Sequence, residues 1–276
     1  MAKSAILKSS LAKKYWMALT GLFLCLFLVG HLAGNLQLIF SDALHFNEYA
    51  LFMTTNPVVK LLSYLTYISI LFHAVDGIML TVQNRKARPI RYAKEDSSAN
   101  SAWASRNMAV LGTLILVFIV THMVNFWAVM HFDKNMPLQS IELKTEYGSQ
   151  QLYVKTDGSY MPLEEIESGK IVIKDRTNFY VKDGDVKIGE GYKDLHKITF
   201  AFFKDAKYGL IATILYVIAM FVLAFHLLHG FASAFQSLGA NNPKYNGLIK
   251  GFGKGFAIIV PLLFAIIPVY IHFFAK

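Results

Sequence analysis

Cysteine is almost absent from this sequence. Cys25 is the single one among 276 residues, which excludes a disulfide within the chain. One thiolate is also too few for an iron–sulfur cluster or a cysteine-bound zinc site. Any metal chemistry inside the chain must therefore use other ligands.

Charged side chains are scarce as well. They make up 16% of the residues, whereas 55% are hydrophobic, which is more apolar surface than a soluble domain of this length can bury. The first apolar run has no cleavage site of small residues, so we expect a retained helix and not a signal peptide. The composition predicts an all-α integral membrane protein. Its five transmembrane helices, each long enough for the roughly 20 residues that a crossing needs, are expected at residues 15–40, 58–83, 104–131, 208–235 and 251–275.

The basic residues are unevenly placed. Thirteen lie before the first run or at the second and fourth connections, where the only acids are Glu95 and Asp96. The first connection, residues 41–56, has no base at all. This positive-inside pattern predicts a cytoplasmic N-terminus and an extracytoplasmic C-terminus. Because topology explains most of the net charge of +9, we expect a lipid bilayer and no nucleic acid as partner. The basic rim also suits a protein docked on it or an anionic leaflet. The thirteen bases are Lys3, Lys8, Lys13, Lys14, Arg85, Lys86, Arg88, Arg91, Lys94, Arg106, Lys244, Lys250 and Lys254.

The third connection, residues 132–207, differs in composition from the rest. It carries twelve bases and thirteen acids, and long loops cross the membrane largely regardless of charge. TNFYVKDGDVKIGEGY, at 177–192, alternates side chains around an Asp-Gly turn and predicts a β-hairpin. ITFAFFKDAKYG, at 198–209, favours an interfacial helix. We therefore expect spans one to three in residues 1–131, a small extracytoplasmic β-rich insertion at 132–207, and spans four and five in 208–276.

Four of the nine histidines fall one each within the first four predicted spans: His31, His73, His122 and His226. Ionisable residues inside a membrane are costly, so function is their default interpretation. At 1.5 Å of rise per residue, His31 and His122 lie roughly 13 Å from the predicted outer helix ends, and the other two roughly 22 to 27 Å. Two layers of two imidazoles are the arrangement that bis-histidine ligation of two haem irons requires. No C-x-x-C-H motif is present, so the haems are expected to be of the b type.

Several other groups near these histidines have open roles. His229 lies one turn after His226, and Asp76 follows His73 by three residues on the same helix face. Either could hydrogen-bond across helices or take part in chemistry. The small residues that could make room for a macrocycle, or simply let helices pack, are Gly30, Gly34, Ala74, Gly77, Gly230, Ala232 and Ala234.

Four motifs carry a resemblance to a known family. They are GHLAGN at 30–35, LFHAVDGIMLTVQNRK at 71–86, VTHMVNFW at 120–127 and FHLLHGFASAFQSLG at 225–239. Their order resembles the membrane anchor of succinate:quinone oxidoreductases, and more narrowly its single-chain, five-helix, two-haem cytochrome b type from menaquinone-using bacteria. The resemblance covers all five helices but not the insertion, which is longer than in the family.

The resemblance implies a ligand set and a pairing. In the family, the ligand of the fourth helix is followed by glycine four and thirteen residues later, and His226 meets this with Gly230 and Gly239, whereas His229 does not. It implies that His31 and His122 hold the outer haem iron and that His73 and His226 hold the inner one. It also implies menaquinone as substrate, and cytoplasmic flavoprotein and iron–sulfur subunits of succinate dehydrogenase as partners in the bacterial inner membrane.

The resemblance further implies a proton acceptor. Family members use a glutamate in the first outer connection, just before the second helix, when menaquinol is oxidised. Glu48 has a comparable place, although its spacing to the next ligand matches only approximately, and His45 lies nearby. A solvated loop carboxylate is the alternative interpretation of Glu48.

Four alternatives stay open. A dihaem anchor of a hydrogenase or formate dehydrogenase would share the composition and the histidines, and an anchor working in the fumarate reductase direction would look identical. A transporter or channel would use the intramembrane histidines as a proton relay. A structural scaffold would use them only for packing.

Overall fold

Five helices that are long and apolar enough to cross a membrane make up most of the structure. The structure is a computed structural model that describes residues 10–87, 101–146 and 148–275. The five candidate spans are Leu11–Phe40, Pro57–Lys86, Met108–Phe132, Gly209–Ser237 and Pro243–Phe273. All five predicted apolar runs are therefore helices of sufficient length, as expected for a multi-pass membrane protein.

The helices and strands follow one another in a simple order. The helices are α1 Ser10–Phe40, α2 Ala43–Thr55, α3 Pro57–Lys86, α4 Trp103–Arg106, α5 Met108–His122, α6 Val129–Phe132, α7 Leu163–Glu167, α8 Leu195–Lys204, α9 Gly209–Ser237 and α10 Pro243–Phe273. A π-helical segment, Met123–Ala128, joins α5 to α6 and completes the third span. The strands are β1 Ser140–Thr145, β2 Gly148–Val154, β3 Tyr160–Pro162, β4 Ile171–Lys174, β5 Asn178–Val181 and β6 Val186–Glu190.

Local capping explains two differences from the predicted boundaries. Helix α10 begins at Pro243 and not at residue 251, because the Asn242 side chain accepts the Lys244 N–H at 2.9 Å and proline suits the first turn. Lys244 and Lys250, predicted in a connection, therefore lie in the helix. The first connection is also helical: Asp42 caps α2 by accepting the His45 N–H at 2.8 Å.

The insertion consists of two three-stranded antiparallel sheets, ordered β1-β2-β3 and β4-β5-β6. The predicted hairpin is present: β5 pairs with β6, and Val181 faces Val186 across a turn in which Gly184 has φ +103°. Its core is formed around fully buried Phe179 with Leu138, Met161 and Ile171. The expected β-rich character of residues 132–207 is thus confirmed.

Two basic side chains attach the insertion to the end of the third span. Lys193 donates to the Met130 carbonyl at 2.8 Å, and Arg176 donates to the His131 carbonyl. Cations at the last carbonyls of a helix oppose the negative end of its dipole. Burial is the main reason that the pKa of Lys193 is lowered, with Arg176 adding repulsion and Glu190 opposing it.

Helix α8, predicted at the interface, packs into the bundle through one side. Phe203 is buried in a cluster with Leu32 and Leu38 of α1, Phe46 of α2 and residues of α10. This cluster places α2, α8 and the insertion at one end of the bundle, which we call the insertion end. The predicted basic rim belongs to the opposite end, where Arg85 and Lys86 occupy the last turn of α3. The other bases and acids of that prediction that lie outside the described residues are Lys3, Lys8, Arg88, Arg91, Lys94, Glu95 and Asp96.

Candidate functional site

The four predicted histidines meet in two pairs between the helices. The rings of His31 on α1 and His122 on α5 have centroids 5.9 Å apart, nearly perpendicular at 87°. The rings of His73 on α3 and His226 on α9 have centroids 6.2 Å apart at 64°. We call His31 and His122 the near pair, because they lie closer to the insertion end, and His73 and His226 the far pair.

The spacing of each pair fits an iron held between two imidazoles. An iron–nitrogen bond of about 2 Å, plus about 1 Å from that nitrogen to the ring centre, separates two coordinating rings by roughly 6 Å. The donor set also fits. Among the described residues, no group of three or more His, Cys, Asp or Glu could hold a metal ion with protein ligands alone. Two imidazoles suit a metal whose other four ligands come from a porphyrin.

Glycines lie against both rings of the far pair. A Cβ on Gly21 would lie 3.2 Å from Cε1 of His73, and one on Gly112 would lie 3.7 Å from Cε1 of His226. Larger side chains at Gly21 would displace the His73 ring, so these glycines allow the imidazoles to lie against the neighbouring helix. Neither glycine was predicted to lie at a histidine, because neither is near its histidine in the sequence.

The predicted small residues serve different purposes. A Cβ on Gly34 would approach Cε1 of Tyr49 within 2.7 Å, so Gly34 admits a tyrosine of α2. Gly30 and Gly230 have no other group within 4 Å of such a Cβ. Gly239, at φ +82°, ends α9: its N–H donates to the Gln236 carbonyl, and the next N–H donates to the Phe235 carbonyl. This is the Schellman arrangement, which gives the family spacing to Gly239 a folding role.

The near pair lies in an aromatic enclosure. Phe27 and Phe118 stack on His31 and His122 with centroids at 5.2 and 5.7 Å. Three further rings lie within 6.0 Å: Phe126 and Tyr216 beside His122, and Phe264 beside His31. Such surroundings lower the local dielectric and favour neutral imidazoles, the form that binds metals.

In each pair, a hydroxyl group lies close to the Nδ1 atom of one histidine. Thr20 Oγ1 lies 3.3 Å from His73 Nδ1 and donates its own proton to the Trp16 carbonyl at 2.8 Å. Its oxygen is therefore free to accept a hydrogen bond from a protonated Nδ1, and in that tautomer the lone pair of His73 lies on Nε2. Tyr216 Oη lies 3.5 Å from His122 Nδ1. Nδ1 of His226 is buried without a hydrogen-bond partner in the described part of the chain.

His229 and Asp76 do not join either pair. His229 Nε2 lies 3.2 Å from the Ser233 hydroxyl, one turn further along the same helix. Its neighbour His226 is the histidine that faces α3. Asp76, one turn from His73, is partly exposed.

Glu48 lies away from both pairs on the exposed side of α2. Within residues 10–87, 101–146 and 148–275, no hydrogen bond or ion pair joins Glu48 to the histidines. Its charge acts instead on the insertion: burial, and then the carboxylates of Glu48 and Asp157, raise the pKa of Tyr192. His45 is exposed on the same helix.

Comparison with protein-family models, with curated proteins and with solved structures gives no match to this chain. The family resemblance of the four histidine motifs therefore stays a prediction.

Proposed function

We propose that this chain is a dihaem cytochrome b that passes electrons between soluble redox subunits and a membrane quinone. The observation that carries the proposal is the geometry of the near and far pairs, with ring centroids 5.9 and 6.2 Å apart. A b-type haem bound by two imidazoles supplies one-electron transfer without an open position for oxygen.

The residues of this chain would hold and insulate two haem irons. His31 with His122 and His73 with His226 would hold the irons through imidazole nitrogens, and Thr20 would orient His73 through a hydrogen bond to Nδ1. The aromatic rings around the near pair exclude water and keep charge poorly solvated. With one pair in each half of the bundle, electrons have a path from one membrane surface toward the other.

Within that class we propose the membrane anchor of succinate dehydrogenase, a succinate:menaquinone oxidoreductase. Support comes from the order of the four histidine motifs and from the bases collected at the end opposite the insertion. A basic surface suits docking of an iron–sulfur and flavoprotein pair, which would carry the succinate site. In the bacterial inner membrane that end is cytoplasmic and the insertion is extracytoplasmic. A higher oligomer of the complex is compatible with this arrangement.

Purification from native membranes tests the proposal. We expect a Soret band, a pyridine haemochrome of b type with two haems per chain, and co-purifying flavoprotein and iron–sulfur subunits that oxidise succinate. A colourless protein would contradict the cytochrome and favour a histidine proton relay or a scaffold. Hydrogenase or formate dehydrogenase subunits in place of the expected ones would leave the dihaem function and overturn the succinate assignment.

Replacing Glu48 with glutamine tests its proposed role in quinol oxidation. Because Glu48 is exposed on α2 at the insertion end, the change should leave both haems bound. We expect quinone-linked turnover to fall roughly 10-fold or more, as for loss of a proton acceptor, while succinate oxidation by an artificial dye is unchanged. Glu142→Gln, an exposed carboxylate of β1, is the matched control. Unchanged quinone turnover in Glu48→Gln would remove this residue from the mechanism.

A further inference from the structure

A short series of hydrogen bonds between side chains ends at one histidine of the near pair. Asn125 Nδ2 donates to Tyr216 Oη at 3.5 Å, and Tyr216 Oη lies 3.5 Å from His122 Nδ1. These hydrogen bonds join α9 to the third span. The group between the other two is the hydroxyl of Tyr216, whose ring is otherwise apolar.

The ring of Tyr216 is held on several sides by aromatic edges. Phe118 and Phe203 meet it in T-shaped contacts at 5.0 Å, and Phe202 does so at 5.9 Å. Edge-to-face packing of this kind fixes a ring orientation. The hydroxyl therefore has a defined position relative to His122, unlike a tyrosine that faces lipid.

The π-helical segment supplies Asn125, the first residue of this series of hydrogen bonds. It begins at Met123, directly after His122, and includes both Asn125 and Phe126. Asn125 reaches the Tyr216 hydroxyl, and Phe126 lies 6.4 Å from its ring and 5.3 Å from that of His122. π-segments within α-helices frequently occur at functional sites because they re-aim side chains.

We propose that Tyr216 and Asn125 are positioning residues of His122 that set the reduction potential of the haem at the near pair. The inference rests on the proposed dihaem function and adds to it a cause for unequal haems. The far pair has a different arrangement, since a threonine hydroxyl contacts His73 and no group of the described residues hydrogen-bonds to His226 Nδ1.

The sign of the effect follows from the tautomer. A neutral imidazole that binds iron through Nε2 carries its proton on Nδ1, so His122 donates to the Tyr216 oxygen. Donating this hydrogen bond would make the imidazole a stronger electron donor, which stabilises oxidised iron. Removal of the hydroxyl should therefore raise the reduction potential of this haem.

Tyr216→Phe is the direct test, because it keeps the ring packing and removes only the hydroxyl. In redox titrations of the purified complex, we expect both haems to stay bound and only one to become easier to reduce. The expected change is about threefold to tenfold in its reduction equilibrium constant, or up to roughly 59 mV for a one-electron couple. Its low-temperature electron paramagnetic resonance signal should also shift, because the His122 ring loses its anchor.

Two further variants complete the test. Asn125→Leu should shift the reduction potential and resonance signal of the same haem by a smaller amount. It leaves the Tyr216 hydroxyl in place and removes only the amide that donates to it. Tyr67→Phe is the matched control, because Tyr67 meets Trp127 edge-to-face at 6.0 Å and makes no hydrogen bond or ring contact with a histidine among the described residues. It should change neither haem.

The outcomes separate this inference from the proposed function. Two haems with unchanged potentials and signals in Tyr216→Phe would overturn the positioning role and leave the cytochrome intact. A wild-type protein without haem would overturn the proposed function itself.

Discussion

His73→Leu and His226→Leu are each expected to remove the same haem, and His31→Leu and His122→Leu the other. The reason is geometric: each pair of rings faces across the bundle at about 6 Å, so an iron held between them loses half of its protein ligands in any one variant. Pyridine haemochrome analysis should fall from two haems per chain to one in every case. Redox titration of the remaining haem should give one potential for the far-pair variants and a different one for the near-pair variants.

His229→Leu is the matched control for this series. It removes an imidazole one turn from His226 whose nitrogen contacts Ser233 on the same helix, so both haems should stay. Leucine at these positions within the membrane-spanning helices adds no unsatisfied polar group, so the helices should still insert. If the four variants sorted into other pairs, or if one of them lost both haems while the bundle stayed folded, the two-site arrangement would be wrong.

The depth of the histidines could be predicted from the sequence because it depends only on helix rise. Counting residues from the span ends placed His31 with His122 and His73 with His226, and the structure brings the same rings together. Rotation about the helix axes is another matter. Which of His226 and His229 faces α3 depends on how α9 packs; the family resemblance favoured His226, and in the structure His226 is the one that meets His73 of α3.

Apart from the two histidine pairs, contacts between distant segments could not be predicted. Gly21 lies against His73 and Gly112 against His226, each on a helix other than that of its histidine. Nothing in the local pattern of a single sequence distinguishes such a glycine from one that faces lipid, because both occur in equally apolar surroundings. Tyr216 escaped notice for the same reason: its partners Asn125 and His122 lie more than 90 positions away along the chain.

The π-helical segment could not be predicted from local sequence either. Nothing in VTHMVNFW separates a π-helix from an ordinary α-helix, and the six π-helical residues lie where the third span meets α8 and α9. By contrast, the turn residues of the β5–β6 hairpin and the caps at Asp42 and Asn242 act within a few residues. Local chemistry determines these features. The hairpin was predicted from its turn residues, whereas the helix starts at Ala43 and Pro243 were missed although their caps lie in the sequence.

A buried side chain of α2 also attaches the insertion to the bundle. Asn47 of α2 is 1% exposed. Its amide nitrogen donates to Gln139 at 2.6 Å and to Asp194 at 2.9 Å, and its oxygen accepts the His196 N–H at 3.0 Å. The last two partners also form the start of α8, since Asp194 caps that helix by accepting the Lys197 N–H. One amide therefore ties α2 to both ends of the insertion.

Asn47→Leu should loosen the insertion without removing either haem. Leucine fills a similar volume but leaves Gln139, Asp194 and the His196 N–H without this partner, at an expected cost of roughly 2 to 4 kcal/mol of unfolding free energy. Limited proteolysis and hydrogen exchange should show residues 137–195 opening at lower temperature than in the wild type, while the Soret band persists. Asn135→Leu, on an exposed asparagine close to Gln139 in sequence, should change the opening by no more than about 0.5 kcal/mol. Equal protection of the insertion in both variants would show that Lys193, Arg176 and the packing of α8 suffice to hold it. Loss of haem in Asn47→Leu would show that the insertion supports the near pair.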